Sequence, residues 1–213
     1  MQIIPAILEK NFDQAWIKIR QVKDFSKWVQ IDVIDSKFSF GKTFELELLN
    51  NNPEETENIL WDIHLMVEEP INWIEKCNFV GALRIIGQVE KMSDRESFVN
   101  QIKDLGIDAG LAMDIDTKIG DIPKETDLVL LMGRKSGFET QPVDNKIFEK
   151  IKELVKIRNE SGYRFLIAVD GGVNEDNIKS FNQSGIDIVY CTGAIFNGMV
   201  KDNLEKLKYV SEN

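Results

Sequence analysis

The sequence has few cysteines, no basic leader and no long hydrophobic run, and each absence excludes a class of protein. Its two cysteines, Cys77 and Cys191, are far apart and in no metal-ligand spacing. We therefore expect two free thiols rather than a disulfide framework or a cysteine zinc site. Residues 1–5 lack a basic region, and the longest uncharged apolar runs are only of strand length. We expect no signal peptide, no membrane span and a cytoplasmic location.

Positive charge is also in short supply. The 213 residues include 36 acidic and 26 basic side chains, which gives a net charge of −10 at pH 7. Such a surface repels the phosphate backbone of nucleic acids, so we expect no nucleic-acid partner. A small phosphorylated ligand is still compatible with this charge, because a few backbone N–H groups can bind it locally.

The chain does contain a regular alternation of short apolar runs and amphipathic segments. Eight runs are candidate strands: Ile3–Leu8, Trp28–Ile34, Asp62–Met66, Leu83–Ile86, Ala109–Met113, Leu128–Met132, Phe165–Val169 and Ile186–Cys191. Strands that alternate with helices predict a parallel sheet. Since no stretch resembles a linker, we expect one α/β domain over residues 1–213, closed into a (β/α)8 TIM barrel. The alternative is an open doubly wound sheet, but the turn after the first strand lacks the expected glycines.

Several intervening segments carry helix signals. Ser93 and Glu96 have the spacing of a capping box, which predicts a helix start at that point. An apolar stripe over Ile147–Val155 predicts a second helix, and Asn174 is expected to cap a third. The segment Glu45–Leu49 predicts only a short helix.

Polar side chains within the apolar strands indicate the candidate site, because sites of parallel barrels lie at the carboxyl ends of the strands. Gln30 and Asp32 are two residues apart and therefore share a face of strand two. His64, the one histidine of the chain, lies in strand three, and Asp170 ends strand seven. Carboxylates and an imidazole suit a divalent ion with mixed oxygen and nitrogen ligands. Taken singly, His64 also fits a hydrogen-bonded core residue and Asp170 a helix cap.

Five strings of the sequence occur in the order found in one enzyme family and extend over essentially the whole chain. They are Pro-Ala-Ile-Leu (5–8), Ile-Asp-Val-Ile-Asp-Ser-Lys-Phe (31–38), Asp-Ile-His-Leu-Met-Val-Glu-Glu-Pro (62–70), Ser-Gly-Phe-Glu-Thr-Gln (136–141) and Val-Asp-Gly-Gly-Val (169–173). Together they resemble the ribulose-phosphate 3-epimerase family. The resemblance implies a barrel of the ribulose-phosphate-binding type and, by analogy with the family, a homo-oligomer.

The resemblance also implies an activity and a site. A divalent metal ion (Zn, Fe, Mn or Mg) would be held at the positions of Gln30, Asp32, His64 and Asp170, and would polarise the substrate carbonyl. Asp32 and Asp170 would be the acid/base pair on opposite faces of carbon 3 of a small phosphorylated sugar. Substrate and phosphate contacts are expected from Met66, Met132, Gly137, Gly171, Gly172 and Gly193.

Several positions depart from the family pattern. Gln30 stands where the family has its first metal-binding histidine, and an amide ligand favours a harder ion such as Mg²⁺ or Mn²⁺. Ala6 stands where the family has a serine, and Gly87 stands where the family is expected to have the histidine of strand four. Arg134 and Lys135 add positive charge near the expected phosphate position.

These departures leave three hypotheses open. The first is an active epimerase that acts on a phosphorylated ketose. The second is a non-catalytic phosphosugar-binding barrel with a decayed metal site. The third is an epimerase or isomerase for a different sugar phosphate, since the fold alone does not determine the reaction.

Overall fold

The strands form a closed parallel barrel in the order of the chain, as a computed structural model that describes residues 1–137 and 141–213 shows. The eight strands are β1 (Gln2–Ile7), β2 (Trp28–Ile34), β3 (Leu60–Met66), β4 (Ala82–Gln88), β5 (Asp108–Met113), β6 (Leu128–Met132), β7 (Leu166–Asp170) and β8 (Ile188–Cys191). The predicted barrel is therefore confirmed and the open doubly wound sheet is excluded. Both cysteines are free and buried, as expected.

Helices cover the outside of the barrel. They are α1 (Phe12–Val22), α2 (Pro53–Thr56), α3 (Ile74–Phe79), α4 (Arg95–Asp104), α5 (Lys146–Ser161), α6 (Ile178–Gln183), α7 (Gly193–Phe196) and α8 (Val200–Glu212). Short 3-10 helices occur at Leu46–Asn51, Pro70–Trp73 and Val89–Lys91. The first of these confirms the short helix expected near Glu45–Leu49. Among the described parts of the chain, no helix has the length and apolar character needed to span a membrane.

The predicted capping box at Ser93 is wrong by one residue. Asp94 is the N-cap of α4, and its carboxylate accepts hydrogen bonds from the backbone N–H of Ser97 at 3.0 Å and from the Ser97 hydroxyl at 2.9 Å. A carboxylate at this position also interacts favourably with the positive end of the helix dipole. The Ser93 hydroxyl instead donates to Glu69, which lies just before the 3-10 helix that follows β3.

The predicted cap at Asn174 lies one turn earlier than the first α-helical residue, and its carbonyl accepts the N–H of Ile178 at 3.0 Å. Its side-chain oxygen accepts the N–H of Asp176 at 2.9 Å, which closes a local turn of the kind that asparagine favours. Helix α6 begins only at Ile178, after Asn177. The turn therefore uses the Asn174 side chain before the helix starts.

The two faces of the strands are both buried, and they belong to two separate apolar layers. On β2, Val29, Ile31 and Val33 belong to the large core between the strands and the helices. Gln30 and Asp32, in the alternate positions, project into the barrel. A smaller apolar cluster fills the interior and includes Ile4, Ala6, Ile86, Ala112, Leu130, Met132 and Ala168. The two-residue period of β2 thus determines that its polar side chains face the interior.

A buried ionic group lies in the interior on the amino-terminal side of the polar site residues. Arg84 Nη1 donates to both carboxylate oxygens of Asp62, at 3.2 and 3.1 Å, and Tyr190 Oη donates to Asp62 Oδ2 at 2.6 Å. The Arg84 guanidinium carbon lies 4.7 Å from the ring centroid of Trp28. We call Asp62, Arg84 and Tyr190 the floor cluster. Burial raises the pKa of Asp62 to about 6, although Arg84 and Tyr190 act to lower it.

Candidate active site

The four side chains predicted as metal ligands converge inside the barrel. Gln30 Nε2 donates to Asp32 Oδ1 at 2.8 Å and to Asp170 Oδ2 at 2.7 Å. His64 Nδ1 lies 3.0 Å from Asp32 Oδ1 and 3.9 Å from Asp170 Oδ2. All four residues are buried. We call Gln30, Asp32, His64 and Asp170 the site cluster.

The register of the strands explains this convergence. Asp32 pairs with His64 across β2 and β3, and Asp170 is the last residue of β7. These positions lie toward the carboxyl ends of their strands, where sites of parallel barrels form. Gly133 follows β6, and its N–H donates to the Asp170 carbonyl at 2.6 Å. A Cβ atom there would lie 2.4 Å from the Gly171 carbonyl oxygen, so this close approach requires glycine.

The site cluster has the donor atoms that a divalent ion requires. Asp32, His64 and Asp170 each offer one ligand atom, and these atoms all lie within 4.8 Å of one another. Gln30 Oε1 is buried and has no hydrogen-bond partner among the residues that the structure describes. If the Gln30 amide turned over, this oxygen would replace the nitrogen that now faces the carboxylates. The residues therefore fit an ion with oxygen and nitrogen ligands.

The electrostatic environment of the site cluster favours an added positive charge. Burial raises the pKa of Asp170 to about 6, and the charge of Asp32 adds to this effect. Burial opposes the charged form of His64, but the hydrogen bond to Asp32 and the charges of Asp32, Asp170 and Asp114 outweigh it and raise the pKa of His64. A proton or a cation is thus stabilised at this position.

A cavity of about 650 Å³ opens next to Asp170. The four glycines predicted to bind phosphate all line it, together with Asp170: Gly137, Gly171, Gly172 and Gly193. Arg134 lines it as well, whereas Lys135 is exposed to solvent. The expected positive charge at this position is therefore contributed by Arg134.

Glycine is structurally required at part of this cavity. Gly171 and Gly172 have φ values of +93° and +81°, in the region that side chains disfavour. A Cβ atom on Gly172 would also lie 2.7 Å from Val143 Cγ2. Met66 and Met132, in contrast, are buried strand-end residues that do not belong to the described lining of the cavity.

The strand-four position of the site was expected at Gly87, but the structure places Gln88 there instead. Gly87 faces the helix layer, since a Cβ atom there would lie 2.7 Å from Phe98 Cζ. Gln88 Nε2 lies 3.2 Å from His64 Nε2. The expected strand ended too early, at Ile86, so the inward position two residues later was missed. Ala6, at the position of the missing serine, is buried in the inner apolar cluster.

The segments that follow β5 and β6 also contribute to the region of the site. Residues 138–140, which belong to the string Ser-Gly-Phe-Glu-Thr-Gln that supports the resemblance, lie outside the described residues. Ser136 and Asp114 were not predicted as site residues, although Ser136 Oγ accepts a hydrogen bond from Gln88 at 2.7 Å. Both lie beyond strand ends, in segments where sequence periodicity carries no signal.

Comparisons with known proteins agree with this geometry. The model of the Ribulose-phosphate 3 epimerase family matches residues 2–196. A ribulose-phosphate 3-epimerase of Treponema pallidum (strain Nichols) is 27% identical over 210 residues, which cover 96% of this chain and 95% of that protein. The enzyme of the same name from Aquifex aeolicus (strain VF5) is 30% identical over 181 residues, covering 83% and 81% of the two chains.

A solved structure resembles the fold. The crystal structure of KGPDC from Streptococcus mutans in complex with D-R5P superimposes with a TM-score of 0.71. It covers 99% of this chain and 96% of that one, at 13% sequence identity. At this identity the likeness supports the barrel fold and nothing finer.

Proposed function

The chain belongs to the ribulose-phosphate 3-epimerase family, and from this premise we propose that it epimerises carbon 3 of a phosphorylated ketose. One observation carries the proposal: Asp32 and Asp170, from strands β2 and β7, meet at one amide group beside a glycine-lined cavity. Epimerisation requires two proton-transferring groups that reach one carbon from different sides. Two buried carboxylates on separate strands meet that requirement.

We assign the proton transfers to these two aspartates. One carboxylate removes the proton from carbon 3, and the other returns a proton to the opposite face. The pKa of about 6 at Asp170 is suited to this role, because a group with such a pKa exists in both protonation states near neutral pH. His64, 3.0 Å from Asp32, orients that carboxylate.

Asp32, His64, Asp170 and the amide oxygen of Gln30 would hold the divalent ion. When bound, the ion supplies Lewis-acid polarisation of the substrate carbonyl. The set contains one imidazole and otherwise oxygen donors, which favours Mg²⁺ or Mn²⁺ more than a set with two imidazoles would. Asp32 and Asp170 thus have a double role as ligands and as proton-transfer groups.

The phosphate group of the substrate is assigned to the cavity lined by Gly137, Gly171, Gly172 and Gly193. Backbone N–H groups bind phosphate best where no side chain blocks their approach. Arg134 adds the one guanidinium of the described lining. Met66 and Met132 remain predicted substrate contacts, and a homo-oligomer is supported by the family relationship.

A second candidate function is phosphosugar binding without catalysis. It is favoured by the contact of Gln30, whose amide N–H group donates to both carboxylates where a cation would otherwise lie. In this candidate the Gln30 amide, rather than an ion, holds the two carboxylates together. The phosphate cavity would be retained and the chemistry lost.

One experiment separates the two candidates. The protein is stripped of metal, reloaded separately with Mn²⁺, Mg²⁺, Zn²⁺ or Fe²⁺, and assayed for interconversion of ribulose 5-phosphate and xylulose 5-phosphate. The epimerase proposal predicts activity that depends on the added ion and is lost in Asp170→Asn. Absence of both metal binding and interconversion, with ribulose 5-phosphate still bound in calorimetry, would replace the proposal by the second candidate.

A further inference from the structure

His64 has a second polar contact on the side of the ring that faces away from the carboxylates. Its Nδ1 atom points to Asp32 and Asp170, whereas Nε2 lies 3.2 Å from Gln88 Nε2. Both His64 and Gln88 are fully buried. Solvent therefore does not contribute to this contact, and the orientation of the Gln88 amide determines what the ring nitrogen meets.

Ser136 and Asp114 determine that orientation. Asp114 Oδ1 accepts the backbone N–H of Ser136 at 2.8 Å and also the Ser136 hydroxyl. Because an ionised carboxylate can only accept hydrogen bonds, the single hydroxyl hydrogen of Ser136 is donated to Asp114. Ser136 Oγ can then only accept from Gln88, which lies 2.7 Å away. The nitrogen of the Gln88 amide must therefore face Ser136.

The position of Asp114 is itself fixed by contacts that do not involve the site cluster. Its backbone N–H donates to Glu90 Oε1 at 2.8 Å, and its carbonyl accepts from Lys150 Nζ at 2.6 Å. Gln88 Oε1, on the far side of the amide, is buried and has no partner among the described residues. The hydrogen bonds thus run in one direction, from Gln88 through Ser136 to Asp114.

This direction decides which nitrogen of His64 carries the proton. The second hydrogen of the Gln88 amide points to Nε2, which must be an acceptor, so the proton of the neutral ring belongs on Nδ1. There it donates to Asp32 Oδ1 at 3.0 Å. We propose that Gln88, oriented by Ser136 and Asp114, is a positioning residue that places the ring proton of His64 on Nδ1.

The consequence for metal binding rests on the function proposed above. Nδ1 is the ring nitrogen that faces the carboxylates, so it must lose its proton before it can bind an ion. In the neutral ring the proton then lies on Nε2. Two hydrogens, one on Nε2 and one on the Gln88 amide, would face each other unless the amide turned over. Turning over presents Gln88 Oε1 to the ring but ends the hydrogen bond that Gln88 donates to Ser136. Metal binding therefore costs the hydrogen bond between Gln88 and Ser136, and Ser136 lowers the metal affinity. Contacts behind a metal ligand commonly change affinity in this way.

The experiment uses the single histidine of the chain. With ¹⁵N-labelled histidine, the two ring nitrogens of His64 give the only histidine signals in the spectrum and report the tautomer directly. We expect the Nδ1–H tautomer in the metal-free wild-type protein, at a pH that keeps the ring neutral. Ser136→Ala removes the acceptor of Gln88 without a change of charge, and should let the Nε2–H tautomer appear. Ser136→Thr keeps the hydroxyl and should resemble the wild type.

Metal affinity is measured on the same three proteins by calorimetry with Mn²⁺. Ser136→Ala should bind Mn²⁺ about 10-fold more tightly than the wild type, at the lower end of the changes that contacts behind a metal ligand commonly cause. The Ser136→Thr control should bind as the wild type does.

The possible results separate this inference from the proposed function. An Nε2–H tautomer in the wild type, or a Ser136→Ala spectrum identical to the wild type, would overturn the role of Gln88. A changed tautomer with unchanged Mn²⁺ affinity would overturn its effect on metal binding. If none of the proteins binds Mn²⁺, the metal part of the proposed function fails, while the wild-type and Ser136→Ala spectra still decide where Gln88 places the proton.

Discussion

Two buried polar groups share the interior of the barrel, and they differ in how their charge is balanced. In the floor cluster, Asp62 receives hydrogen bonds from the guanidinium of Arg84 and from the hydroxyl of Tyr190. In the site cluster, Asp32 and Asp170 share an amide and an imidazole. A buried carboxylate is costly unless it is paired. The floor cluster contains its own cation, whereas the site cluster needs a proton or a bound ion.

The pKa values express the same difference. Burial raises the pKa of both Asp62 and Asp170 to about 6. At Asp62 the next strongest influence is Arg84, which lowers the pKa, and at Asp170 it is Asp32, which raises the pKa further. Removal of one charged side chain should therefore destabilise the floor cluster, where Arg84 balances Asp62, but not the site cluster, where Asp32 and Asp170 repel each other.

The largest difference is expected from Asp170→Asn. Loss of one proton-transfer group should reduce kcat for interconversion by about 10²–10⁴-fold. The free energy of unfolding of the metal-free variant should be no lower than that of the wild type, because one of two like charges is gone. Activity assays and urea unfolding check the two parts. Wild-type activity would contradict the role of Asp170, and marked destabilisation would contradict the described charge imbalance.

Arg84→Met should show the reverse pattern. It leaves Asp62 buried without its cation, which should lower the free energy of unfolding by about 3–5 kcal/mol, with kcat per folded molecule little changed. The double variant Asp62→Asn with Arg84→Met is the matched control and should recover much of the loss. If Arg84→Met unfolds at the same urea concentration as the wild type, Arg84 does not stabilise the barrel by balancing the charge of Asp62.

The pH dependence of stability should reveal the contribution of Asp170 when the wild type is compared with Asp170→Asn. The pKa of Asp170 is about 6 in the folded protein against an ordinary value of 3.8, so the folded state binds more protons between these values. Its contribution is therefore present at low pH and decreases as the pH rises from about 4 to about 6, by about 3 kcal/mol. Asp62 contributes in the same direction. Urea unfolding of metal-free wild type and Asp170→Asn over this range should give a smaller decrease for the variant, and equal decreases would contradict this origin.

Gln30→His should have the smallest effect of the four. An imidazole in place of the amide adds a ligand that Zn²⁺ and Fe²⁺ prefer, and we expect these ions to bind about 10-fold more tightly. Mg²⁺ affinity should change less, which provides an internal control in the same titration. Equal affinities of the two proteins for Zn²⁺ would show that position 30 does not contribute a ligand.

The two clusters were not equally predictable from the sequence. Gln30, Asp32, His64 and Asp170 interrupt apolar strands near their carboxyl ends, so their type and period indicate a shared face. Gln88 was missed because β4 extends two residues beyond the apolar run that marks it.

The partners of the floor cluster depend on barrel closure rather than on local pattern. Asp62 and Tyr190 are 128 residues apart in the chain, and only the pairing of β8 with β1 brings them near each other. Helix starts failed for a related reason, since Asp94 and Ser93 are both good caps and backbone geometry selects Asp94. The sequence therefore predicts which side chains share a face of one strand. It does not predict contacts between distant strands, or which of two neighbouring residues caps a helix.

Isotope exchange at carbon 3 shows whether the site cluster transfers the proton of that carbon. Ribulose 5-phosphate is incubated with Mn²⁺-loaded protein in D₂O and followed by proton NMR. We predict that xylulose 5-phosphate forms with deuterium at carbon 3 and that Asp170→Asn abolishes its formation. Full retention of the carbon 3 proton in the recovered ketose, with no xylulose 5-phosphate formed, would contradict proton transfer by the site cluster.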